Sequence, residues 1–200
     1  YRKYLKVANG ARLTGAEAGQ RLLAAHGLDG VQLQGTSGEL TDHYDPRSKV
    51  LRLSEGVFDT PSIAAVGVAA HEAGHALQHA LGYAPLAIRN AAVPVASLGS
   101  NAGFILVFVG LLFQPLMMLA WVGIALFAGT VFFQLVNLPV EFNASSRAKA
   151  QLATLGIVDR DEMPYVNSVL NAAAWTYVAG TLQAVMILLY LLMRVNSHRD

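Results

Sequence analysis

His71-Glu72-Ala73-Gly74-His75 has the residue types and the spacing for metal-assisted hydrolysis. On an α-helix, positions four apart share a face, with Cβ atoms roughly 5–6 Å apart. Two imidazoles so placed can bind one Zn²⁺, each at roughly 2.0–2.1 Å. Glu72 then projects beside the open position of the metal. A carboxylate there can take a proton from water and pass it to a leaving amine. This His-Glu-x-x-His string is the motif of zinc metalloproteases. Its flanks, Val68-Ala69-Ala70 and Ala76-Leu77, are apolar or small, and Gly74 leaves room for another backbone to come close.

A catalytic zinc takes three protein ligands and a water. Glu141, in Pro139-Val140-Glu141-Phe142-Asn143-Ala144-Ser145, follows a long apolar run and opens a more polar one. A carboxylate at a membrane border has to be hydrated, paired or metal-bound, which makes it a candidate third ligand. The alternative is a helix N-terminal carboxylate favoured by the dipole. His79 falls on the same face as His71 and His75. A straight helix rarely lends three successive turns to one tetrahedral ion, so His79 suits a supporting or substrate-facing role, or that of a satisfied core histidine. His26, His43 and His198 show no partner pattern, although His43, beside Tyr44 in an expected sheet, could line the cleft.

These groups need elements to hold them. Thr60 as N-cap, Pro61 at the first helical position and Gly82 just past the end predict a motif helix over about 61–81. Upstream, Thr14-Gly15-Ala16-Glu17 is a capping box for a helix running to about His26 and stopping at Gly27. Residues 31–34 read as a strand. Residues 40–44 and 49–53 flank the turn Asp45-Pro46-Arg47-Ser48, so a small sheet precedes the motif helix. Residues 1–12 are basic and polar and read as a juxtamembrane segment or linker, and 83–93 as a link to the first membrane helix. A further helix is expected over about 140–155, ending at Gly156, with Asp159 or Asp161 capping the next.

The chain has 200 residues, 54% of them hydrophobic and 14% charged, and its mean hydropathy is +0.42. The apolar surplus lies in 94–113, 116–138 and 172–193. None of these contains a charge, and each is long enough to cross a hydrocarbon core of roughly 30 Å. Gln114-Pro115 joins the first two as a tight hairpin. The expected architecture is a mainly α membrane protein. Its parts are a border catalytic region (1–93), a transmembrane hairpin (94–138), a third-ligand helix with the helix after it (139–171), and a C-terminal transmembrane helix and tail (172–200). The net charge of +1, and the lack of a basic run with interleaved aromatics, argue against nucleic acid. Cysteine is absent, which excludes disulfides and thiolate ligands. The start at Tyr1 suggests that sequence precedes it. Alanine and glycine richness and the excess of Arg over Lys point to a GC-rich bacterial genome.

The strings GELTDHYDPRSKVLRLS (38–54), VGVAAHEAGHALQHALGYAPL (66–86), LPVEFNASSRA (138–148) and AAAWTYVAG (172–180) resemble the YugP-like family of membrane-bound neutral zinc metallopeptidases. The resemblance spans nearly the whole chain. That family usually carries a further membrane helix upstream. The motif pair is also similar to that of the HtpX-type and CAAX prenyl proteases, which bind zinc through the two histidines and a later Glu, matched here by Glu141. The resemblance therefore implies a zincin-like catalytic part of the gluzincin type, binding one Zn²⁺. In those wider relatives an Asp commonly stands four residues after that Glu and supports a histidine. Here Ser145 occupies the place; a hydroxyl can accept from an imidazole N–H but brings no charge.

The functional expectation is a zinc endopeptidase of the membrane border, with Glu72 as general base and a protein or peptide as substrate. Tyr177, Arg147 and His43 are the candidates for steadying the oxyanion, and the free edge of the 40–44 strand could receive an extended substrate. An intramembrane protease with a distal Asp ligand fits less well, because Gln78 and His79 sit in the motif helix and no spanning stretch holds an Asp. A non-catalytic scaffold with a structural zinc would need a fourth protein ligand. The uncharged 114–115 turn, against Arg89, Arg147, Lys149 and Arg160 on the motif side, predicts an inner-membrane protein with its site facing the cytoplasm. Arg194 and Arg199 would then fall outside, against the same rule. Gly99 and Gly103 suit helix association, whether with a membrane partner, with a second copy, or within one chain.

Overall fold

The computed structural model describes residues 2–197. Its elements, in chain order, are α1 (Arg2–Leu5), α2 (Gly15–Ala25), β1 (Gln32–Thr36), β2 (His43–Asp45), β3 (Val50–Ser54), α3 (Glu55–Phe58), α4 (Ile63–Ala80), α5 (Ala84–Leu112), a 3₁₀ turn (Gln114–Leu116), α6 (Met117–Thr154) and α7 (Met163–Asn196). The fold is mainly helical with one three-stranded sheet. Among the described residues three helices are long and apolar enough to cross a membrane: α5, the turn with α6, and α7. The motif helix α4 is not one of them. The chain divides into two compact units, one of residues 1–83 with 141–175, the other of 84–140 with 176–200.

In the first unit, the capping box forms as expected. Thr14 Oγ1 accepts from the Glu17 N–H, and the Glu17 carboxylate accepts from the Thr14 N–H. Gly27, at φ +66°, ends the helix. The sheet order is β1-β3-β2. β2 and β3 form the antiparallel hairpin around the Asp45–Ser48 turn, with Tyr44 opposite Leu51, while β1 lies parallel to β3 with Leu33 opposite Leu51. β2 is therefore an edge strand. β3 is buried almost throughout, and Leu51 and Leu53 join Leu22, Ile63, Val66, Leu152 and Val166 in one core. The sheet and α2 thus back α4 with apolar contacts, which fixes the helix that carries the motif.

Several boundaries differ from the sequence expectation. Ser62, not Thr60, caps α4: its side chain accepts from the Ala65 N–H. The N-terminal segment explains the shift, because Val7 O accepts from Ile63 N–H, Asn9 N–H donates to Pro61 O, and Ala8 bridges Ser62. That pairing keeps 60–62 extended. Residues 84–93 are helical rather than a linker, and α5 runs through Pro94. No break separates the apolar run before Glu141 from the helix after it, since α6 continues through Pro139. Proline removes one backbone bond, but packing and local adjustment let apolar helices carry it. Asp159 builds the turn before α7 through its carbonyl, which accepts from the backbone N–H of Glu162 and Met163. His198 and Arg199 lie outside the described residues.

In the second unit, glycine sets the helix contact. A Cβ on Gly99 would collide with the Leu126 carbonyl, and one on Gly110 with the Ala120 backbone; Gly123 in turn faces Gly103. Gly99 and Gly103 are thus used inside this chain, between α5 and α6. The large side chains point outward, with Phe108 68% and Met118 74% exposed.

Candidate metal centre

α4 presents His71 and His75 one turn apart, with the rings edge to face and centroids 4.8 Å apart. Glu141 comes from α6, 70 residues beyond His71. Its Oε2 lies 3.1 Å from His71 Nε2 and 3.6 Å from His75 Nε2. One donor atom from each of the three residues falls within 4.8 Å of the others, and the group could hold a metal ion. Gly74 makes this possible. A Cβ there would stand 2.7 Å from the Ala144 carbonyl oxygen, so any larger residue would push α4 and α6 apart at the point where the donors meet.

The outer nitrogens of both rings are engaged. His71 Nδ1 is 3.1 Å from Ser145 Oγ. His75 Nδ1 is 3.0 Å from Gln78 Oε1. The protonation on that side follows by elimination. Arg147 Nε can only donate, so its partner at 2.8 Å must be Asn143 Oδ1. The Gln78 atom 3.0 Å from the same oxygen is then Nε2, which turns Gln78 Oε1 toward His75. His75 Nδ1 therefore carries a hydrogen, and in the neutral ring Nε2 faces Glu141 with a lone pair.

A ring lone pair facing a buried carboxylate is unfavourable without a cation between them. A proton or a metal ion meets that demand. His75 shows it: burial pushes the imidazole pKa down, but the Glu141 carboxylate beside it, with help from Glu72, drives it above the ordinary value. A bound metal would compete with that proton. Glu72 is itself buried, and among the described residues no protein group hydrogen-bonds its carboxylate.

The other residues singled out in the sequence are spread more widely. Arg147 is held on the site's own helix by Asn143. His43 is exposed on β2, its Nδ1 2.7 Å from the Thr41 carbonyl and its Nε2 3.4 Å from Arg52. His79 pairs with the Tyr44 hydroxyl at 2.9 Å and is not one of the three clustered donors. Tyr177 belongs to the second unit. Gln78 and Asn143 were not foreseen as part of the site. Their signal was present in outline, since Gln78 is an amide three residues after His75 in an apolar helix and Asn143 stands two residues after Glu141.

A family model described as "Putative neutral zinc metallopeptidase" matches residues 1–196. The chain belongs to that family. "Putative membrane protease YugP" of Bacillus subtilis (strain 168) is 45% identical over 200 residues, covering 100% of this chain and 88% of that protein. No solved structure matches. Family membership implies zinc, and the donor set fits it: two imidazole nitrogens and one carboxylate are an established combination for catalytic zinc, leaving a fourth position for water.

Proposed function

We propose that this chain is a membrane-integrated zinc endopeptidase of the gluzincin type, with a zincin-like catalytic part in which His71, His75 and Glu141 hold one Zn²⁺. The observation that carries the reading is the meeting of three donor atoms from α4 and α6 within 4.8 Å. Bound there, zinc would supply Lewis acidity, lowering the pKa of water toward about 7 and polarising the scissile carbonyl. Glu72, with its carboxylate unengaged, takes the proton from the attacking water and delivers it to the leaving nitrogen. Ser145 and Gln78 keep the two rings oriented through Nδ1. Arg147, held by Asn143, is the best supported of the three candidates for stabilising the oxyanion; Tyr177 and His43 are the others. The free edge of β2 receives the substrate as an added strand.

The protein lies in the inner membrane with α5, α6 and α7 as spans, and the site faces the cytoplasm. The charge bias supports this side, since the 114–116 turn carries no charge while Arg89, Arg147 and Lys149 lie toward the opposite ends of α5 and α6. The four segments 1–93, 94–138, 139–171 and 172–200 serve as catalytic region, hairpin, third-ligand region and final span. The test is Glu72→Gln in the full chain. Zinc content should stay at the wild-type level while protein cleavage falls by roughly 10²–10⁴-fold. Undiminished cleavage would remove Glu72 as the base.

A further inference from the structure

Beside the last two turns of α4 is a cavity of about 380 Å³ that the mechanism above does not use. Leu28, Val31 and Ala76 give it apolar walls, and Tyr44, His79 and Lys49 give it a polar side. Tyr44 and His79 form one piece of that side: the hydroxyl lies 2.9 Å from Nδ1 and the ring centroids are 5.9 Å apart. Lys49 sits at φ +52°, in the left-handed region that long side chains seldom adopt. Such conformations persist where the surroundings enforce them, and they cluster at ligand clamps. Here the turn enforces it, because the Asp45 carboxylate accepts from Arg47 N–H at 2.9 Å and from Ser48 Oγ at 2.6 Å.

The charge balance of the cavity is one-sided. No carboxylate lines it. Asp45 is taken up by its own turn and by Arg52 at 3.9 Å, and Asp29, on the Gly27–Gly30 loop, lines a neighbouring cavity. Among the described residues Lys49 has no ion-pair partner. A cation, a hydroxyl–imidazole pair and apolar walls together suit a carboxylate on a short apolar stem. His79 links the cavity to the metal centre, since it follows His75 by one helical turn, about 5.4 Å, on the same face.

We propose that this cavity is a substrate subsite that takes a peptide carboxylate within a few residues of the bond to be cut. The carboxylate comes from a Glu or Asp side chain or from a peptide C-terminus. This rests on the peptidase reading given above.

The test uses the full, zinc-loaded chain in lipid nanodiscs, carrying Glu72→Gln so that peptides persist. Three labelled alanine-rich hexapeptides are the probes: one with an internal Glu and an amidated end, one with Gln and an amidated end, and one with Gln and a free C-terminal carboxylate. The internal-Glu or the free-end peptide should bind roughly 3–10-fold tighter than the neutral one, and which of the two does so identifies the carboxylate taken. Lys49→Gly, which suits the positive φ, should erase the preference, and Lys49→Arg should keep it. Equal binding of all three peptides, or a preference untouched by Lys49→Gly, would overturn the subsite. A failure of the peptidase reading shows separately: wild type would leave unfolded casein intact while the preference for the carboxylate peptide remained.

Discussion

The two units spend the same kind of residue in opposite ways. The unit that carries the candidate metal centre turns its leucines and valines inward, with Leu51, Leu53, Val57 and Val66 fully buried, and it surrounds the three donors with hydrogen-bonded amides and hydroxyls. The unit built from α5 with parts of α6 and α7 puts glycine between its helices and leaves Phe, Leu and Met outside. The first pattern is that of a protein folding in water, where burying apolar area is the driving force. The second is that of helices in lipid, where the hydrocarbon is as apolar as leucine and association depends on close backbone approach. One chain therefore combines a water-type core that carries the candidate metal centre with a set of apolar helices suited to lipid.

Three substitutions sharpen that contrast, in falling order of effect. Leu51→Ala opens a cavity in the centre of the sheet and should lower the stability of its unit by about 2–5 kcal/mol, read from the unfolding midpoint in detergent. A small shift would mean that the first unit lacks a tight core of its own. Gly99→Leu adds side chain where the Leu126 backbone already stands. It should cost about 1–3 kcal/mol through overpacking, followed by helix content on heating. Tolerance of that leucine would mean that α5 and α6 are not in close contact. Phe108→Ala removes a ring that is 68% exposed. It should move the midpoint by no more than about 0.5 kcal/mol in lipid, as outward-facing surface changes do. A loss comparable with that of Leu51→Ala would show that Phe108 packs against protein.

Local signals in the sequence proved dependable. The Thr14 capping box, the stops at Gly27 and Gly82, the hairpin around Asp45–Ser48 and the close approach at Gly74 could each be read from a few adjacent residues, because each is decided by backbone chemistry within a turn or two. The features that escaped depend on distant partners. Ser62 became the cap of α4 because residues 7–9 pair with 61–63 and hold that stretch extended. Pro94 and Pro139 read as boundaries, yet α5 and α6 run through them, since the packing of long apolar helices outweighs one lost backbone bond. The chain His75–Gln78–Asn143–Arg147 exists only because α4 and α6 lie side by side. His43 and Tyr44 illustrate the alternation of a strand: neighbours in sequence point to opposite faces, so Tyr44 reached His79 while His43 turned to Arg52.

Metal analysis of the purified full chain beside Glu141→Ala decides whether α4 and α6 grip one ion between them. Wild type should carry one zinc per chain, ligated by nitrogen and oxygen in the X-ray absorption spectrum, and Glu141→Ala should lose most of that zinc at equal folded content. Full zinc occupancy in Glu141→Ala, with an unchanged absorption spectrum, would contradict that shared grip.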